Sequence, residues 1–345
     1  MDARVRAHFW VPEHIAGVDD WDPDASPDRF PTGLGHNLLE LYVRLRARGA
    51  PVALGPVPRP GDVVVAFAKS LRSPAAQRSL FRSLTSNPLI VIRSDINPSW
   101  RLRFAPDLEV MPYESAVSGP SQVWLPALPQ RGMVRRSPAR FGTIATVAFK
   151  GQPDNLPDFM RDDRWARTLV GLGLRWLLDL PRQWDGSEQR WHDFSEVDVA
   201  VCLRSTAEAH RTPWKPATKL INAWCAGAIP LVGAEPAYED LVTPNRDAVA
   251  VHSERDVVET LAELATNREL VRTVEGHIAA RAEEFAPDAV LARWEELIVR
   301  AAELSPASSD ARERRRARVR LSLFAERQRV RERVSPLVAL ARKRP

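Results

Sequence analysis

Cysteine, lysine and long apolar runs are all scarce in this 345-residue chain, and each scarcity removes a class of protein. Its two cysteines, Cys202 in an apolar strand and Cys225 on an apolar helical face, form neither a disulfide framework nor a zinc spacing. They read as small core hydrophobes in a reducing, cytoplasmic setting. The N-terminal stretch MDARVRAHFWVPEHIAG lacks the apolar core of a signal peptide, and no run of about 18 apolar residues is present to span a bilayer. There is no Gly-Lys-Ser/Thr phosphate loop, no GxSxG elbow and no HExxH. The seven histidines show no ligand pair at helical spacing, so neither a metal nor a resident cofactor is expected.

Charge is present in abundance but unevenly placed. Residues 306–345 hold twelve arginines and one lysine against four acids, a net charge of +9, which leaves −4 for the rest of a chain whose total is +5. Within that tail Val319, Leu323 and Val330 recur among the charges, followed by VSPLVAL after a proline break. The pattern predicts a basic amphipathic helix suited to an anionic membrane surface, to the protein body or to solvent. Nucleic acid is the least favoured partner, because the tail has one aromatic, Phe324, and no basic-aromatic surface for stacking bases.

Before the tail, β-like runs alternate with helical ones, which predicts α/β architecture with two Rossmann-like, doubly wound parallel-sheet domains. ARVRAHFWV, PVALG, DVVVAFA, PLIVIRS and LEVMPY supply strands of the first, and NLLELYVRLRARG a helix with Leu38, Leu41, Tyr42 and Leu45 on one face. RGMVRRSPARFG reads as a linker, and GTIATVAFK, LRWLLDL, VDVAVCL, IPLVG and AVAVHS restart the alternation. The expected division is an N-terminal domain over 1–130, a linker over 131–142, a C-terminal domain over 143–304 and the basic helical tail over 305–345.

One segment concentrates the chemistry. In WKPATKLINAWCAGAIPLVGAEPAYE, from Trp214 to Glu239, two of the five lysines sit at the start of a helix that Gly227 closes, followed by a buried strand. A helix N-terminus presents free N–H groups and a positive dipole end, and the ammonium groups of Lys215 and Lys219 add charge suited to a diphosphate. Ligands of open α/β sheets bind beyond the carboxyl ends of the strands, which also brings Lys150, Arg204 and the Gly233–Tyr238 loop to the same edge. We therefore expect a nucleotide-sugar site of Lys150, Arg204, Lys215 and Lys219 on the phosphates, and Glu235, Tyr238 and Glu239 on sugar or base. Structural roles compete for several of these: Arg204 paired with Glu196 or Asp198, Lys150 as a solvated strand end, Glu239 at a helix start.

Two doubly wound domains with a cationic strand edge in the second resemble the two-Rossmann-domain glycosyltransferases of the GT-B type over most of residues 1–304. In that family the C-terminal domain grips the nucleoside diphosphate sugar and the N-terminal domain holds the acceptor. TKLINAWCAGAIPLVGAEPAYEDLV looks like the donor motif of α-1,3-fucosyltransferases, with Lys219 and Asn222 on positions that resemble donor-binding residues, which implies Asn222 on a ribose hydroxyl. The retaining branch with two glutamates eight positions apart shares the glycine and Pro-apolar ending. Thr218 stands where the fucosyltransferase motif has glutamate, and Trp214 and Asn222 where the retaining motif has its pair, which marks a divergent branch. The resemblance implies metal-independent transfer, hexosyl- or fucosyltransferase-like, from a nucleotide sugar to a hydroxyl of a glycan, lipid-linked or other acceptor. Surface polysaccharide or glycoconjugate synthesis is the expected setting, cytoplasmic or peripheral at the inner membrane. A non-catalytic binding scaffold and a nucleotide-sugar epimerase are the alternatives on the same fold.

An inverting transfer needs a base for the acceptor hydroxyl. His36, in GLGHN, is one candidate, on a loop whose Gly33 and Gly35 permit close backbone approach to a ligand, with Asn37 as a simple helix cap the competing reading. Asp95 in IRSDINPSW is the other, beside Asn97 and Trp100, although an Asx-turn before Pro98 accounts for it equally.

Overall fold

The computed structural model describes residues 5–30, 33–84, 87–94, 100, 102, 104–180, 190–205, 214–244 and 246–304; the basic tail lies outside the described residues. Six short runs form one parallel sheet: β1 (Ala7–Trp10), β2 (Val52–Gly55), β3 (Val63–Phe67), β4 (Leu89–Ile92), β5 (Leu108–Met111) and β6 (Gln122–Trp124), in the order β2-β1-β3-β4-β5-β6. β1, β3 and β4 are buried along their whole length, as apolar strands covered on both faces should be. A π-helical turn, Gly35–Leu39, leads into α1 (Glu40–Ala47), and Leu38, Leu41, Tyr42 and Leu45 form its buried face as the spacing predicts. Helix α2 (Pro74–Ser83) was not foreseen from the apolar pattern; the Ser73 hydroxyl caps it by accepting from the Ala76 amide, and Pro74 opens its first turn.

The second sheet is also parallel. It contains β7 (Thr146–Lys150), β8 (Arg175–Asp179), β9 (Val199–Val201), β10 (Ile229–Val232) and β11 (Val249–Ala250), in the order β11-β10-β9-β7-β8. The helices α3 (Asp163–Gly171), α4 (Thr218–Ala226), α5 (Pro236–Glu239), α6 (Glu254–Thr266) and α7 (Arg268–Glu284) accompany it. Gly227 ends α4 at φ 76°, the left-handed conformation expected at its position.

The chain departs from the expected division in two places. Arg131 and Gly132 still hold to the first unit, through the Pro27 and Phe30 carbonyls and Asp24, but residues 134–142 are stitched into the second: Val134 bridges to Asp193, and the fully buried Arg136 bonds Asp198 and Glu275. Helix α8 (Pro287–Glu303), expected within the C-terminal domain, returns to the first. Its stripe of Val290, Leu291, Trp294, Leu297 and Ile298 has the spacing of one helical face, and that face packs into the core containing Leu41, Val43 and Val63. The loops at the carboxyl ends of β5 and β6 lie against residues 216–221 and 237–241 at the corresponding end of the second sheet. The Ser115 amide donates to Asp240 across this junction at 2.7 Å. Among the described residues no helix is long and apolar enough to cross a membrane.

Candidate nucleotide-sugar site

At the carboxyl edge of the second sheet, five of the expected residues come together. β9 runs out into Arg204, α4 begins one residue before Lys219, and the turn after β10 delivers Glu235 and Tyr238. Arg204 Nε lies 2.9 Å from Glu235 Oε2, with side chains only 6% and 13% exposed. Burial pushes the Glu235 carboxyl above its usual range, against the pull of Arg204, Lys219 and Lys215. The buried Tyr238 hydroxyl sits within electrostatic reach of Arg204 and Glu235, its ionisation suppressed chiefly by burial.

Lys219 is the least comfortable member. Its Nζ lies 3.8 Å from the centroid of the Phe149 ring and 3.5 Å from the Leu203 carbonyl. Burial lowers its pKa to about 7, and repulsion from Arg204 and Lys215 acts in the same direction. A side chain on Gly151 would place its Cβ 3.3 Å from Lys219 Cε and Nζ, so glycine there leaves room for the lysine. Beneath it, burial pushes the Cys202 thiol up to about 12, which keeps it a neutral core group. Three cations and one carboxylate therefore share the edge, an arrangement that favours an incoming polyanion.

Other expected members stand apart. Lys150 Nζ bonds Asp179 at 2.9 Å and the Arg190 carbonyl at 2.9 Å, a satisfied strand-end ion pair. Asn222, expected on a ribose, spends its Oδ1 on the Gln130 amide at 2.7 Å because α4 packs against the chain as it crosses between the sheets. Glu239 is exposed at the end of α5, and its amide bonds the Glu235 carbonyl. Glu196 and Asp198, the competing partners for Arg204, are taken by Arg175 and by Arg136 with Arg140.

In the first domain the glycine loop is built differently from the expectation. A Cβ on Gly35 would meet the Phe30 backbone at 2.9 Å, so this glycine is required by the chain's own close approach rather than by a ligand. Gly33 has only ordinary contacts, 3.5 Å from the Phe67 ring. Asn37 is not a helix cap: it lies inside the π-helical turn, and its Nδ2 donates to the Gly33 carbonyl at 2.9 Å. Asp95 and Asn97 lie outside the described residues; Trp100 is engaged by Arg93, which donates to its carbonyl at 2.7 Å and lies 5.6 Å from its ring centroid.

His36 acquires a partner that the motif search missed. Its Nδ1 lies 3.2 Å from Glu40 Oε2, and Glu40 is fully buried between His36, Arg44 and Arg131. Burial alone would raise the Glu40 carboxyl, but His36, Arg44 and Arg131 together hold it below its usual range. An ionised carboxylate only accepts, so Glu40 favours the tautomer with the proton on Nδ1 and Nε2 as a lone-pair acceptor, with Arg131 Nη1 3.4 Å from the same Nδ1. The signal available in the sequence was an i, i+4 His–Glu pair on one helix face. Phe149, under Lys219, gave no signal beyond being an apolar strand residue.

Residues 164–296 match a family model described as glycosyl transferase-like. The fold is similar to that of sucrose-phosphate synthase from Thermosynechococcus elongatus, at 11% identity over 86% of this chain and 99% of that one, with a TM-score of 0.52. It is also similar to AviGT4, a glycosyltransferase of avilamycin A biosynthesis, at 14% identity over 87% and 98% of the two chains and a TM-score of 0.50. A structure of Anabaena HepE in complex with UDP-glucose is similar at 8% identity over 86% and 99%, again with a TM-score of 0.50. The chain has a GT-B fold and carries a glycosyl transferase-like domain. No curated protein is similar to it in sequence. The glycosyl transferase-like domain runs from α3 into α8 and so contains Arg204, Lys215, Lys219, Glu235 and Tyr238, whereas His36 and Glu40 belong to the other half of the GT-B fold.

Proposed function

We propose that this protein transfers a sugar from a nucleoside diphosphate sugar to an acceptor hydroxyl, with Arg204, Lys215 and Lys219 neutralising the diphosphate as it leaves. The observation that carries this reading is the cluster of three cations against a single carboxylate at the carboxyl edge of the second sheet. In the reaction the bond between the anomeric carbon and the phosphate oxygen breaks, and its electron pair passes to the diphosphate. A bond from the acceptor oxygen to that carbon forms, and the acceptor proton goes to a base. Cationic side chains preorganised where charge develops stabilise such a transition state and do the work that a divalent metal does elsewhere, so the proposed enzyme is metal-independent.

His36 is the proposed base, accepting the proton at Nε2 while Glu40 holds Nδ1 and stabilises the imidazolium that forms. This assigns an inverting outcome. The acceptor is a glycan, lipid-linked or other hydroxyl compound, and surface polysaccharide or glycoconjugate synthesis at the cytoplasmic membrane face suits the basic C-terminal segment. HepE was crystallised with UDP-glucose, which makes uridine nucleotides the first to try.

The test is thermal stabilisation across UDP, GDP, ADP, TDP and CMP and their sugars, with and without a divalent cation. A ligand that binds only the native state must raise the melting temperature. A selective, metal-independent rise that disappears when Lys215 and Lys219 are both alanine supports the reading, and no rise with any nucleotide overturns it. Slow hydrolysis of the bound donor then separates an enzyme from a binding scaffold.

A further inference from the structure

Glu235 has a part in this site that its expected contact with sugar or base does not describe. It opens the short helix Pro236–Glu239 but makes no side-chain cap to it. The carboxylate instead turns into the cation cluster and pairs with Arg204 at 2.9 Å, where both side chains are nearly buried. Lys215 and Lys219 pull on the same group. Arg204 thus already holds an anion where the donor reading places a diphosphate.

We propose that Glu235 is a built-in counter-anion that occupies Arg204 in the empty site and, by opposing further negative charge, selects the nucleotide sugar over the nucleoside diphosphate left after transfer. The inference rests on the donor reading above and deepens it. With Lys219 protonated, as an anion bound beside it favours, three cations and one carboxylate leave two positive charges. A nucleotide sugar carries two negative charges, and the free nucleoside diphosphate about three, because its terminal phosphate titrates with a second pKa near 6. The dianion is matched and the product carries an excess charge beside Glu235. Like charges brought together in a poorly solvated site repel strongly, so release of the product is favoured over its retention.

Calorimetric titration of the full-length protein with UDP and UDP-glucose, or with whichever pair the stabilisation panel selects, tests this on wild type, Glu235→Gln and Glu235→Asp. Removing the charge in Glu235→Gln should tighten the nucleoside diphosphate roughly tenfold and the nucleotide sugar by clearly less, so the product becomes the better-held ligand. Glu235→Asp keeps the charge with a shorter reach and should keep the wild-type ratio of the two affinities. An equal gain for both ligands, or a loss for either in Glu235→Gln, overturns the proposal and makes Glu235 a residue that orients Arg204 for binding. Should Glu235→Gln not fold, as judged by its ligand-free melting curve, a changed ratio in Glu235→Asp overturns it instead. Wild type that binds no nucleotide fails the donor reading itself, which is a different result from bound nucleotide with an unchanged ratio.

Discussion

Two arginine–carboxylate clusters lie in the same half of the molecule, and they differ in how their charges balance. Around Asp198, Arg136 and Arg140 face Asp198 and Glu275, two cations against two carboxylates, and the amides of Ala145 and Thr146 donate to Asp198 while that of Gly142 donates to Glu275. Although burial would raise its carboxyl, Asp198 is held below its usual range by Arg140, the Ala145 and Thr146 amides and Arg136. Around Glu235, three cations face one carboxylate, and one of them rests on an aromatic ring. The first cluster is closed and fastens residues 136–146 to the sheet. The second is left short of negative charge, which is the condition a diphosphate would complete.

This contrast predicts opposite outcomes for comparable substitutions. The largest effect belongs to the closed cluster: Asp198→Ala removes the carboxylate shared by Arg136 and Arg140, leaving Arg140 unpaired and Arg136 with Glu275 alone, and should cost about 3–5 kcal/mol of stability, read by urea denaturation. A loss under about 1 kcal/mol would mean the cluster is not structural. In the open cluster, Lys215→Ala with Lys219→Ala should weaken nucleoside diphosphate binding by about 3 kcal/mol while leaving the fold intact, measured by calorimetry. At the opposite domain, Glu40→Gln should lower kcat by about two orders of magnitude with KM little changed, because Nδ1 loses its carboxylate; equal rates at saturating acceptor would remove His36 and Glu40 from the mechanism.

A smaller effect distinguishes the clusters by pH. Lys219 titrates at about 7 in the fold and near its ordinary 10.5 unfolded, so between these values the unfolded chain holds more protons and stability rises with pH. The penalty is complete below about pH 7 and fades toward 10.5. Lys219→Met should therefore raise the ligand-free melting temperature by a few degrees at pH 6, with the gain vanishing near pH 10. The same scan on Lys150→Met should show no gain, since Lys150 already bonds Asp179. The smallest expectation is that Lys150→Ala changes diphosphate affinity by less than about twofold, because that ion pair stands apart from the cation cluster.

Much of the fold was readable because buried parallel strands announce themselves as apolar runs, and Leu38, Leu41, Tyr42 and Leu45 repeat at helical spacing. The ends of the domains were not. Whether the stripe on α8 packs against the second sheet or the first is a question of chain path, and periodicity is silent on that. The scarcity of lysine drew attention to Lys215 and Lys219 and gave Lys150 the same standing, because a lysine at a strand end looks alike whether or not Asp179 lies on the neighbouring strand. Asn222 and Gln130 are 92 residues apart, and only folding spends the amide on the backbone. Glu40 stood four residues beyond His36 on a helix, where its reach to Nδ1 depended on a buried position that an isolated pattern does not reveal.

A crystal structure of the complex with the nucleoside diphosphate that most stabilises the protein tests the central claim most directly. The account predicts phosphate oxygens within hydrogen-bonding distance of Arg204 and Lys219, with Lys215 beside them and the Lys150–Asp179 pair unchanged. Phosphates seated on Lys150, or on the N-terminal domain with Lys219 still resting on Phe149 and no anion at Arg204 beyond Glu235, would contradict it.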